Sequence, residues 1–176
     1  IANSGVLKFK NGTVESKTIA INSLSSSKAD VVTEVSGGRI KNSVYGIYVG
    51  VNAAKTILGG ASFESNTNDI YLENAQKITI EDTFTGSANV GCRDAAEGRQ
   101  ITTTTSGSEY QKKLKLTSTD GFEVGYKKSA EGEYRYLTKT LTYTVETKCA
   151  SAKADLDGDS TEETQLDNTN NNLLEG

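Results

Sequence analysis

Nine consecutive residues near the C-terminus concentrate oxygen donors. They are Asp155-Leu156-Asp157-Gly158-Asp159-Ser160-Thr161-Glu162-Glu163. The spacing places Asp155, Asp157, Asp159 and Glu163 at positions 1, 3, 5 and 9, with Thr161 at position 7 supplying a backbone carbonyl. A flexible loop of carboxylates and carbonyls is what calcium requires, because it takes six to eight oxygens without strict geometry. Calcium is therefore the candidate cofactor, weighed against the reading of a merely acidic, solvated tail. No nucleophile or base lies nearby in sequence, so a bound ion is expected to order the tail or bridge subunits rather than to catalyse.

Other catalytic chemistry is sharply restricted. The chain has no His, which removes a His general base, a Ser-His-Asp triad and His-ligated metal. Its two cysteines, Cys92 and Cys149, give no zinc pattern. A bond between them would close a loop of 149−92 = 57 residues, worth about 4 kcal/mol on chain-entropy grounds. Buried thiols or bonds between subunits are the other readings. Glycosidase chemistry needs two facing carboxyls. The candidate pairs, Glu64 with Asp69 and Glu81 with Asp82, form no aligned acidic cluster: Glu64 falls opposite Lys41, Asp69 falls opposite Gly46, and Glu81 and Asp82 should face opposite ways. Asn11-Gly12-Thr13 is a glycosylation sequon at Asn11. Tyr48 and Tyr71 fall in one column with Tyr45 beside them, either a sugar-stacking face or a structural ladder.

That column follows from a repeat of about 22 residues, which is short enough for each copy to be one turn of a solenoid. Ile40 matches Phe63 and Ile47 matches Ile70, both at an offset of 23 (63−40 and 70−47), while Val35 matches Ile57 at 22 (57−35). An earlier copy matches Phe9, Val14 and Ile21 to Val35, Ile40 and Ile47 at 26, with the surplus in Leu24-Ser25-Ser26-Ser27-Lys28. A later copy runs from Ile78 or Ile80 through Phe84 to Val90. Many β-branched residues, 17 Gly and no Pro suit uninterrupted strand ladders. The predicted fold is all-β: a short parallel solenoid over residues 1–105, antiparallel hairpins over 106–149 and an acidic Asn-rich tail without strands over 150–176. Within the second segment, Leu114–Thr117 and Phe122–Tyr126 are expected to pair across Asp120-Gly121. A second hairpin would join Tyr134–Leu137 to Leu141–Val145, leaving Lys127, Lys128, Glu133, Arg135 and Lys139 on the wet face.

The rungs Gly46-Ile47-Tyr48-Val49, Ser62-Phe63-Glu64-Ser65-Asn66, Asp69-Ile70-Tyr71-Leu72 and Lys77-Ile78-Thr79-Ile80 resemble the right-handed parallel β-helix proteins of the pectin-lyase-like class over residues 4–100. That class spans polysaccharide lyases and hydrolases, tailspikes, adhesins and surface proteins, so the resemblance speaks to fold more than to activity. Its lyases would imply calcium-holding Asp residues and an Arg base, and Arg39, Arg93 and Arg99 have no such acidic partners in the pattern. The Asp155–Glu163 segment resembles the short calcium loops of integrin-type propellers and dockerin-like modules. It departs from an EF-hand, with Ser160 at the turn position and Leu166 at position 12.

Net charge is −4, and no basic track interleaved with aromatics serves nucleic acid; no apolar run is long enough for a membrane span. The expectation is a non-enzymatic extracellular structural protein: a subunit of a cell-surface layer, sheath or fibre, or an adhesin, pairing with itself through sheet edges. The alternative is a carbohydrate-active module with a surface polysaccharide as partner. Beginning at Ile1 fits processing or excision of a domain.

Overall fold

The computed structural model describes residues 1–24, 31–51, 53, 55–106, 109–139, 152–154 and 164–166. The chain divides into two compact units, Ile1–Thr140 and Leu141–Gly176.

The first unit is a parallel β-solenoid of about 4 turns. After a two-residue strand β1 (Ala2–Asn3), each turn carries up to three short strands. These are β2 (Val6–Phe9), β3 (Thr13–Glu15) and β4 (Ile19–Ser23); β5 (Val32–Val35), β6 (Arg39–Lys41) and β7 (Tyr45–Val49); β8 (Lys55–Leu58), β9 (Ser62–Glu64) and β10 (Asn68–Leu72); then β11 (Thr79–Ile80) and β12 (Ser87–Cys92). Corresponding strands pair in parallel into three sheets, β1-β4-β7-β10-β12-β13, β2-β5-β8-β11 and β3-β6-β9, with β13 at Lys115–Ser118.

A strand of three to five residues cannot bury a face alone, so each rung is stabilised by the next. Ile21, Ile47, Ile70 and Val90 occupy one register column and are all fully buried. Phe9, Val35, Leu58 and Ile80 form a second column on the neighbouring sheet. The offsets of 26 and 23 read from the sequence are the observed ladder offsets, with one exception. Val35 pairs with Leu58 rather than with Ile57, whose partner is Glu34. Because a one-residue shift exchanges the two faces of a strand, Leu58 lies in the core and Ile57 faces outward, half-buried. Both are apolar, so the sequence pattern alone does not separate them.

Corners between rungs use repeated local chemistry. Asn42 and Ser65, one rung apart, both adopt left-handed backbone with φ of 55 and 54°. The Asn66 side chain bridges rungs there, donating to the Ile40 carbonyl and accepting from the Ser43 N–H, both at 3.0 Å. Inside the solenoid a small polar group is fully paired: the Thr33 and Thr56 hydroxyls both donate to Ser23 Oγ at 3.0 Å, and Asn3 Nδ2 donates to Thr33 at 2.9 Å.

The C-terminal end is covered. A one-turn helix α1 (Tyr110–Lys113) crosses it, and β13 adds a last parallel strand beside β12, Ala88 opposite Leu116. The expected Leu114–Tyr126 hairpin is thereby corrected. Leu116 must close the open end of the core, and alternation looks the same in a parallel strand as in an antiparallel one. The hairpin that does form joins β14 (Glu123–Ser129) to β15 (Gly132–Thr138). β15 then pairs with the segment after the last rung: Ile101 N–H donates to the Arg135 carbonyl at 3.0 Å, and Thr105 and Glu133 exchange bonds at 3.0 and 2.8 Å. Glu133, Arg135 and Leu137 consequently face inward, with Glu133 only 2% exposed, while Tyr134 and Tyr136 take the outer face. This reverses the expected wet face for Glu133 and Arg135, whereas Lys127, Lys128 and Lys139 are exposed as expected. The carboxylate of Glu133 is met by the Tyr126 hydroxyl at 2.6 Å, and Arg135 Nη2 donates to the Leu114 carbonyl at 2.7 Å. Leu141–Val145, the proposed second hairpin strand, lies outside the described residues.

In the second unit β16 (Ala152–Ala154) pairs antiparallel with β17 (Thr164–Leu166), so the tail does contain strands. Three-residue segments such as Ala-Lys-Ala carry too little alternation to be read from sequence. Among the described residues no helix is long and apolar enough to cross a membrane.

The register makes a direct prediction. Leu58→Ala should destabilise the protein by about 2–5 kcal/mol through lost burial and a residual cavity. Ile57→Ala should cost about 1 kcal/mol or less, since the side chain is only half-buried. Urea denaturation of both variants checks this, and equal losses would show the core register to be wrong.

Candidate functional site

The outer face of the six-stranded sheet carries a cluster of aromatic and charged side chains. The burial alternation of β7 and β10 turns Ile47, Val49, Ile70 and Leu72 inward, which leaves Tyr48 and Tyr71 outward. Tyr48 and Tyr71 are register partners, so the ladder itself holds their rings 5.7 Å apart and within 14° of parallel. Tyr45, at the start of β7, packs into the same cluster, 4.5 Å from Tyr71 and 5.6 Å from Tyr48. The sequence column Tyr48–Tyr71 thus exists in the fold, and Tyr45 joins it.

One end of the cluster is charged. Glu73 lies just beyond β10, 5% exposed, and accepts the Tyr48 hydroxyl at 2.5 Å. Arg93, the next residue after β12, closes on Glu73 at 3.2 Å. A carboxylate so buried needs these partners, since an unpaired charge at that depth would cost several kcal/mol. Burial, then the hydrogen bond to Glu73, push the Tyr48 hydroxyl up to about 12. Burial, followed by the neighbouring Tyr45 and Glu73, also raises Tyr71.

The other border is built around Gly91, the register partner of Tyr71. A Cβ at Gly91 would strike the Asn68 amide oxygen and approach Thr119 Oγ1 at 2.9 Å. The Thr119 hydroxyl donates to Asn68 Oδ1 at 2.6 Å, and the Cys92 N–H donates to Asp120 at 2.7 Å. Sequence reading left Arg39, Arg93 and Arg99 without acidic partners, whereas the fold pairs them with Glu64, Glu73 and Asp94. It missed Glu73, Asn68 and Gly91. Their contribution comes from a shortened last rung, whose ladder offset falls to 20 residues (90−70) and breaks the period.

The remaining candidates are dispersed. Glu64 is exposed and 3.7 Å from Arg39, whereas Asp69 is buried and bonded by the Asn89 N–H at 2.9 Å and by Asn66 at 3.0 Å, so the two do not face one cleft. Glu81 and Asp82 are both exposed and follow β11 at a turn rather than lying on a strand, so strand alternation does not apply to them. Asn11 is exposed in a turn. Cys92 is buried and its thiol is pushed up to about 12 by that burial. Cys149 lies outside the described residues, and so does its pairing with Cys92. Asp155, Asp157, Asp159, Thr161 and Glu163 also lie outside them. The flanking β16 and β17 set Ala154 opposite Thr164. Among the described residues no group of three or more His, Cys, Asp or Glu side chains is placed to hold a metal ion.

Compared with protein-family models, with characterised proteins and with solved structures, the chain matches none.

The Tyr48 environment predicts its titration. A proton held more tightly in the folded state than in the unfolded chain contributes stability that is complete below the unfolded value near 10 and is lost as pH rises through about 12. Phenolate absorbance should therefore show Tyr48 among the last of the eight tyrosines to ionise. Tyr48→Phe should remove a late-titrating step; loss of an ordinary step instead would mean that the Glu73 contact does not form.

Proposed function

We propose that this protein is a non-enzymatic extracellular structural protein, a subunit of a cell-surface layer, sheath or fibre that joins its partners through an open rung. The observation carrying this reading is the inequality of the two solenoid ends. At the C-terminal end β13, α1 and β15 cover the core, whereas Leu7, Phe9 and Val14 in the first rung are only partly buried. Among the described residues no strand pairs with the outer edge of β2 or β3. Val32 N–H donates to the Gly5 carbonyl and Ser36 N–H to the Phe9 carbonyl, both at 2.9 Å. The alternation of a parallel ladder therefore turns the backbone groups of Val6 and Lys8 outward. An edge with free donors and acceptors above a partly open core is a template for another strand. Lys8, which would otherwise repel a like edge, is paired with Glu34 at 3.4 Å.

One open end joins two copies and stops there. A sheath or fibre therefore needs a second contact, for which intersubunit cysteine bonds or a calcium ion at Asp155, Asp157, Asp159, Thr161 and Glu163 are part of the same proposal. So is the right-handed, pectin-lyase-like form of the solenoid, which three short strands per turn support.

Sedimentation velocity at rising concentration should show the native chain associating. Val6→Pro, which removes an outward N–H from an edge strand at little cost to the fold, should remain monomeric. A native chain that stays monomeric at millimolar concentration overturns the reading. If calcium braces the tail, adding it after chelation should raise the thermal midpoint, and Asp157→Asn should abolish that rise; no shift for the native chain would remove calcium from the proposal.

A further inference from the structure

The geometry points to a binding site for a neutral pyranose chain on the outer face of the six-stranded sheet, with Tyr71 as its stacking platform. This inference is independent of edge pairing. One side of the Tyr71 ring is taken by Tyr48, stacked at 5.7 Å. On the other side the neighbouring strand presents Gly91, so no β12 side chain rises beside the ring. What lies there is low and polar: the Asn68 amide, folded over the glycine, with the Thr119 hydroxyl bonded to it at 2.6 Å. Asn68 is only 8% exposed, and its amide oxygen serves Thr119, while among the described residues no acceptor meets its Nδ2. That Nδ2 is not among the buried unpartnered atoms; it opens to solvent beside the ring, where it can donate to a ligand hydroxyl.

Two residues along each strand on the same face stand Glu73 and Arg93. Their ion pair is one-sided in exposure: the Arg93 side chain is 64% exposed and the Glu73 side chain 6%. Arg93 contacts Glu73 through Nη1, which leaves further guanidinium donors directed to solvent. An aromatic face flanked by an amide donor, a guanidinium and a carboxylate matches a sugar ring, whose C–H face stacks while its hydroxyls both donate and accept. The Glu73 and Asp120 carboxylates outnumber the Arg93 cation among the described residues here and select against an acidic sugar.

The test measures quenching of tyrosine emission, usable because the chain has no Trp. The probes are cellohexaose, mannohexaose and maltohexaose, with hexagalacturonate as the acidic comparison. Saturable binding of at least one neutral hexasaccharide is expected, weakened tenfold or more by Tyr71→Ala and by Arg93→Ala and retained by Tyr71→Phe. Circular dichroism confirms folding, and Tyr71→Leu, which keeps an apolar side chain there but removes the ring and should likewise weaken binding tenfold or more, keeps the test decisive if Tyr71→Ala, or Arg93→Ala with Glu73 left unpaired, unfolds. Silence with all three neutral sugars, binding unchanged by both alanine variants, or binding of hexagalacturonate alone would overturn the proposal.

Discussion

Everything in the first unit depends on in-register stacking of parallel strands. Strands of two to six residues have almost no stability of their own. They persist because Ile21, Ile47, Ile70 and Val90 superimpose, each burying its side chain against the rung before and the rung after. Full burial of one such side chain is worth about 1.5–3 kcal/mol. The ladder hydrogen bonds and the corner bonds from Asn66 hold the register that makes this burial possible.

The same constraint shapes the two ends. A stack of rungs always leaves a last rung with its apolar residues half covered. At the C-terminal end the chain solves this with Leu114, Leu116 and Leu137 and with an antiparallel strand laid along the sheet edge. That solution accepts an awkward group, because the inward face of β15 carries Glu133 and Arg135 with their charges buried, and Arg135 Nε has no partner among the described residues. At the first rung no equivalent cover is present among the described residues, and the two ends therefore differ chemically as well as geometrically.

Stacking also organises the outer surface. A position repeated in each rung becomes a row, spaced by the roughly 4.8 Å separation of neighbouring strands. Tyr48 and Tyr71 are such a row. The row ends at Gly91 because the last rung is shortened, and the same shortening brings Arg93 beside Glu73. A regular solenoid would continue the ladder; the irregular rung creates a border with donors and acceptors.

The amino-acid sequence by itself determined the repeat. Ile47 with Ile70, Ile40 with Phe63, and the 26-residue match of Phe9, Val14 and Ile21 to the second rung were all legible, because each buried column demands an apolar residue at a fixed interval. The Tyr48–Tyr71 row followed from that interval. What only the tertiary structure decided lay wherever two assignments satisfy the same local pattern. Ile57 and Leu58 are both apolar, and β13 alternates identically whether parallel or antiparallel. Tyr134, Arg135 and Tyr136 suggest a wet charged face until the strand is laid across the end of the solenoid. Glu73, Arg93, Asn68 and Gly91 belong to a site because a shortened rung shifts the register between β10 and β12. Local sequence sets periodicity through side-chain burial; the partner of each strand is set by the long-range edges left unfilled by the others.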